Sequence, residues 1–108
     1  MAPAPRRAEV WLARLDKVRP VVVLTRDPLA RLLHSVIVVP VTSTVRGVST
    51  EVALGTSEGL RDRSVAVLDN VQLLRRELLV QRIGSVAPAT MAAICRALSI
   101  AVGCDAAP

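Results

Sequence analysis

This 108-residue sequence predicts a single, mainly β domain: five to seven short antiparallel strands closed by one C-terminal helix. Three observations carry that reading. Short apolar runs rich in valine recur along the chain, broken by Gly, Pro and Asp, as strands separated by turns are. Trp11 is the one aromatic residue, so Val, Leu, Ile and Ala must fill the core, and β-branched valine favours strands. Only the segment after Pro88 changes to a helical period. With 52% hydrophobic residues, a chain of this length buries a core without disulfides or a metal.

The elements follow in order. Residues 1–7, rich in Pro and Ala, read as a disordered tail ahead of a domain over 8–103, with a second tail at 104–108. Glu9 to Leu15 forms a first strand and Asp16-Lys17-Val18 a short turn. Arg19 to Thr25 is a second strand, with Pro20 near its start, where a missing N–H is tolerated. Arg26-Asp27-Pro28 breaks it, and Leu29 to His34 is a loop or one helical turn. Ser35 to Thr44 is the longest strand, and Pro40 near its end places it at a sheet edge or bulge. Val45-Arg46-Gly47 is a loop and Ser49 to Leu54 a short strand, with Gly55 to Arg63 a polar connection. Ser64 to Leu68 is a strand that Asp69 to Leu74 continues after a bend, Arg75 to Leu79 a helical turn, and Val80 to Val86 a last strand. Pro88 then suits the first turn of a helix whose apolar stripe is Met91, Ile94, Cys95, Leu98 and Val102.

Charge and composition narrow the function classes. The chain carries 14 basic and 9 acidic residues, and every basic residue but Lys17 is arginine. A net charge of +5 attracts polyanions, and the planar guanidinium suits phosphate. No apolar h-region follows Arg6-Arg7 and no run reaches membrane-spanning length, so the reading is a cytoplasmic protein without a membrane partner. Cys95 and Cys104, nine positions apart, are expected as reduced thiols, and a single histidine, His34, does not make a Cys/His zinc site. There is no βαβ alternation, no Gly-rich phosphate loop and no repeat. A Ser/His/Asp hydrolase lacks its nucleophile elbow, a metal nuclease lacks clustered carboxylates, and a two-histidine ribonuclease lacks the second histidine. Asp69 and Asn70 are expected to shape a turn or bond to backbone, and Trp11 belongs in the core.

What remains is a cation beside hydroxyls. Arg19 precedes Pro20, which holds it extended and fixes its direction. Val38-Val39-Pro40-Val41 ends in Thr42-Ser43-Thr44, followed by Arg46 and the permissive Gly47. If the two strands lie side by side, a guanidinium and three hydroxyls meet at one end of a sheet and form an anion site.

The order Glu9-Val10-Trp11-Leu12, Arg19-Pro20-Val21-Val22-Val23-Leu24 and Val38-Val39-Pro40-Val41-Thr42-Ser43-Thr44-Val45-Arg46-Gly47 resembles the MazF/PemK family of toxin–antitoxin ribonucleases. Thr50-Glu51-Val52, Gly59-Leu60, Ser64 to Val71 and Arg82-Ile83-Gly84 continue the likeness across almost the whole chain. The resemblance implies an SH3-like, CcdB-like barrel with a C-terminal helix, usually a homodimer. It implies a growth-arresting toxin that cleaves single-stranded RNA at short motifs without metal or cofactor, by 2′-hydroxyl attack that leaves a 2′,3′-cyclic phosphate and a 5′-hydroxyl. It implies an acidic, MazE-like antitoxin whose tail covers the RNA site. The family's catalytic arginine falls on Arg19 and its catalytic threonine on Thr42, with Lys17, Ser43, Thr44 and Arg46 as RNA-binding residues. A second reading is a non-catalytic toxin of the same fold that inhibits a partner such as DNA gyrase. Many family members carry a longer, Gly-Ser-Glu-Gln-like segment before Arg-Pro, where this chain has only Asp16-Lys17-Val18.

Overall fold

The computed structural model describes residues 3–104. Seven strands and two helices follow in the expected order: β1 (Glu9–Arg14), β2 (Val18–Val23), α1 (Leu29–Leu32), β3 (Ser35–Thr42), β4 (Glu51–Leu54), β5 (Ser64–Val67), β6 (Gln72–Arg75), β7 (Leu79–Ser85) and α2 (Pro88–Ala101). Short helical turns at Thr56–Glu58, Leu68–Asn70 and Arg76–Leu78 supply the connections around β5 to β7. All pairings are antiparallel, in the order β4-β5-β3-β2-β1-β7, with β6 also on β3. The arrangement is barrel-like, but β4 and β7 end the ladder, so hydrogen bonds do not close it.

The valine runs are explained by a sheet buried on both faces. Val21 and Val23 pack into one apolar cluster with Ala13, Val36, Val38, Leu74 and Leu79, whereas Val22 between them joins the other, with Val10, Val39, Val41 and Leu68. Alternation along a strand sends successive side chains to opposite faces, and here both faces are apolar. Helix α2 covers the second of these clusters with Met91, Ile94 and Ala97. Pro88 opens it, as expected. Cys95 and Val102, expected on the apolar stripe, are exposed instead, and Ala97 takes the buried position. Both cysteines are free thiols.

Three expectations are corrected. Strand β3 is the hub of the sheet rather than an edge: one side pairs with β2, while the other changes partner along its length. Val38 pairs with Gln72 of β6 and Val41 with Ala66 of β5, so Val39 and Pro40 fall in the gap between the two partners, where a residue without an N–H is tolerated. Trp11 packs half-buried against the cluster that holds Val21 and Val38, at the margin of the core rather than inside it, and donates its Nε1–H to Glu9 Oε1 at 3.1 Å. The described part of the expected N-terminal tail lies against the domain: Pro5 is buried and the Arg7 guanidinium donates to the Leu24 carbonyl. Residues 1–2 and 105–108, which that reading also assigned to tails, lie outside the described residues.

One close approach fixes the end of the sheet near β7. A Cβ on Gly84 would lie 2.1 Å from the Glu58 carbonyl oxygen, and one on Gly59 (φ +91°) would lie 2.0 Å from the Ile83 carbonyl oxygen. Glycine at both positions lets the turn after Glu58 rest directly on β7.

Candidate active site

Strand register brings the two leading residues together. Val21 pairs with Pro40, Val22 with Val39 and Val23 with Val38. Carried two residues further along the same strands, this register sets Arg19 opposite Thr42, on the face shared by Val21 and Val38. Both residues line two adjoining grooves and form the ridge between them. The first groove, about 740 Å³, is walled by Asp16, Pro40, Thr44, Arg46, Glu51, Asn70 and Gln72. The second, about 470 Å³, is more apolar, with Leu12, Val18, Pro20, Leu60 and Ile83, and carries Lys17, Ser43 and Arg61 at its walls. The six sequence-predicted residues therefore gather at one end of the sheet, Thr44 and Arg46 on one side of the ridge and Lys17 and Ser43 on the other.

Each part of the ridge has a defined anchor. The three-residue turn Leu15-Asp16-Lys17 joins Arg14 and Val18, which are themselves paired. Its Asp16 accepts two parallel bonds from Arg19, Nε to Oδ1 at 2.8 Å and Nη2 to Oδ2 at 3.0 Å. Those hydrogen bonds hold the Asp16 carboxyl well below the usual carboxylate range and raise Arg19 above its ordinary value. Arg19 is thus a permanent cation and not a proton acceptor. Thr42 Oγ1 accepts the Thr44 N–H at 3.1 Å, which turns the chain out of β3. Beyond it, the Glu51 carboxylate accepts the N–H groups of Gly47 at 2.8 Å and Arg46 at 3.1 Å and ties down the loop. Gly47, at φ +76°, supplies the left-handed residue that lets two successive N–H groups converge on one anion.

Sequence reasoning missed Asp16, Glu51, Asn70 and Gln72 as groove residues. Asp16 had a signal, since an acid three residues before an arginine across a tight turn is within pairing reach. Asn70 and Gln72 had none, because their place depends on where the turn after β5 crosses β3. Asp69, by contrast, lies in the turn Leu68–Asn70, as expected, and accepts the hydroxyl of buried Thr50 at 2.6 Å rather than a backbone N–H. His34 sits just before β3, eight residues from Thr42, about 26 Å along an extended strand, and takes no part in the ridge. No aromatic side chain lines either groove. No group of three or more His, Cys, Asp or Glu side chains gathers among the described residues.

The arrangement is a fixed guanidinium beside a hydroxyl, between two grooves open to solvent, which suits an extended phosphodiester chain crossing a ridge. Comparisons with known proteins show the family and the fold. Residues 6–102 match the family described as PemK-like, MazF-like toxin of type II toxin–antitoxin system. A probable endoribonuclease MazF5 from Mycobacterium tuberculosis is 41% identical, over 97% of this chain and 99% of that protein. The solved structure of the Mycobacterium tuberculosis toxin MazF-mt6 superposes with a TM-score of 0.85 at 37% identity, covering 88% of this chain and 96% of that one. A mycobacterial endoribonuclease solved in complex with its cognate antitoxin gives a TM-score of 0.84 at 32% identity, covering 97% of this chain and 100% of that one.

Proposed function

The chain belongs to the PemK-like, MazF-like toxins of type II toxin–antitoxin systems and is an endoribonuclease, and on that premise we propose that Arg19 and Thr42 are its catalytic pair. The substrate is single-stranded RNA laid across the ridge. The ribose 2′-oxygen bonds to the adjacent phosphorus, the bond from phosphorus to the 5′-oxygen breaks, and a 2′,3′-cyclic phosphate and a 5′-hydroxyl result. The 2′-proton leaves to a base and the departing oxygen gains one. Charge builds on the phosphoryl oxygens in the transition state, where a preorganised guanidinium does most good. Thr42 donates its hydroxyl to the same phosphate, and Lys17, Ser43, Thr44 and Arg46 hold the flanking strand.

The observation that carries this reading is that Arg19 and Thr42 both line the two adjoining grooves. Without an aromatic platform in the grooves, RNA is held by arginine, hydroxyl and backbone groups, and binding weakens steeply with salt. The roles assigned to Arg19 and Thr42, charge stabilisation and hydrogen bonding to the phosphate, call for no metal ion, and EDTA is expected to leave cleavage unchanged. An antitoxin is its partner, and its acidic tail competes with RNA for these grooves. The toxin acts in the cytoplasm as a homodimer.

The test is cleavage of defined RNA in EDTA by purified wild type, Arg19→Ala and Thr42→Ala. Each variant is expected to lose roughly 10²–10³ in rate, the cost typical of one transition-state donor. Wild-type cleavage by both variants would move the site elsewhere. Growth arrest without RNA cleavage would favour the partner-inhibiting reading.

A further inference from the structure

Two carboxylates line a groove proposed to hold a polyanion, and each must have a reason to be there. For Glu51 the reason is the loop it ties. The Asp16 carboxylate meets Arg19 edge to edge as its largest interaction, with backbone N–H groups of its own turn contributing less, and its side chain is otherwise mostly exposed. We infer that Asp16 is the positioning residue for Arg19, gripping one edge of the guanidinium so that the other edge faces the scissile phosphate. This inference rests on the reading of Arg19 as the charge-stabilising residue.

The geometry supports it in three ways. A guanidinium carries five N–H donors in a rigid fork, and Asp16 takes two, on Nε and Nη2, leaving three, two on Nη1 and one on Nη2. A bidentate grip fixes the plane of the fork as well as its position, which a single bond or a point charge does not. The turn between the paired residues Arg14 and Val18 is three residues long, and this brevity brings Asp16 within reach of an arginine at the start of β2. The short segment before Arg19-Pro20 is thus the feature that supplies the carboxylate.

A purely local salt bridge and a positioning grip predict different kinetics. Asp16 also repels RNA, so removing it has two effects of opposite sign. Affinity rises, by about 3-fold at low salt for one charge removed some 7 Å from a phosphate in water. The rate of the chemical step falls, because the guanidinium samples other orientations; misplacement of this kind costs roughly 10-fold or more.

The experiment uses the purified full chain and single-stranded RNA containing its mapped cleavage site, with a version carrying a 2′-deoxy residue at the scissile position for binding. Asp16→Ala is expected to cut about 10-fold more slowly under single-turnover conditions while binding the deoxy RNA more tightly. In an Arg19→Ala background, Asp16→Ala should lower the rate no further, since it acts through the side chain already removed. A thermal melt of each variant confirms folding, and Asp16 lies in an exposed turn whose loss the core does not feel. An unchanged rate, a faster rate, or additive losses in the double variant would each overturn the inference; a faster rate would make Asp16 a competitor of the phosphate. Wild-type cleavage by Arg19→Ala alone would instead overturn the reading of the site, and the two failures are distinguishable.

Discussion

Replacing Glu51 with alanine tests whether loop 43–50 is an ordered part of the RNA groove. The carboxylate accepts the Gly47 N–H at 2.8 Å and the Arg46 N–H at 3.1 Å. Bonds from N–H to a sheltered carboxylate contribute about 1.5–3 kcal/mol each. These lie at the rim of an open groove, so screening leaves about 1.4 kcal/mol for the pair, a factor of about 10 in the ratio of ordered to disordered loop. If only the ordered loop presents Thr44 and Arg46 to RNA, the apparent dissociation constant rises by up to that factor, reached when the alanine variant's loop is mostly disordered. We therefore predict that Glu51→Ala raises KM by up to about 10-fold with kcat nearly unchanged, since Arg19 and Thr42 stand on β2 and β3 rather than on the loop. Glu51→Gln keeps an acceptor oxygen for Gly47 and sheds a charge that repels RNA, so its KM stays within about 3-fold of wild type. Initial rates against RNA concentration separate the two. Equal KM increases in both variants, or none in the alanine variant, would refute the reasoning.

Two further predictions concern stability and pH. Gly84→Ala forces a Cβ to 2.1 Å from the Glu58 carbonyl oxygen, backbone against backbone, and should lower Tm by on the order of 15 °C. Gly55→Ala meets nothing within 4 Å and should leave Tm nearly unchanged, so calorimetry of the pair checks the close approach at Gly84. Hydrogen bonding to Arg19 lowers the Asp16 pKa below its ordinary 3.8, so the pair is complete above that value and is lost only as pH falls through the lowered one. The ratio of wild-type to Asp16→Ala cleavage rates should therefore be flat from about pH 5 to 9, and a titration of that ratio near neutrality would show that another group governs Arg19.

The sheet was legible because its residues advertise it locally. Continuous valine runs such as Val21-Val22-Val23 mark strands buried on both faces, and the Pro88 segment marks the helix. Arg19 and Thr42 were legible as candidates because each ends or begins such a run beside a proline or a hydroxyl cluster. The register that sets them opposite each other follows from the β2–β3 connection and was not legible, since no local pattern records it. Glu51 escaped notice for a related reason: its partners are backbone N–H groups four and five residues away, and backbone donors leave no mark in a sequence. Cys95 was placed on the apolar stripe of α2 by its spacing, but the helix packs along Met91, Ile94 and Ala97, and a small residue serves where the helix lies close to the sheet.

Pro40 shows how one misread residue bears on the site. As a strand proline it implied an edge or a bulge, and β3 is no edge, since it carries a partner on both sides. The proline instead marks where β3 releases β6 and takes up β5. The chain between those two strands must leave the ladder at that point, and it does so through the turn Leu68–Asn70. That departure brings Asn70 and Gln72 to the wall of the larger groove, beside Pro40 itself and one strand step from Thr42. The same exchange of partners that makes β3 central to the fold thus opens the space beside Thr42 in which RNA is proposed to lie.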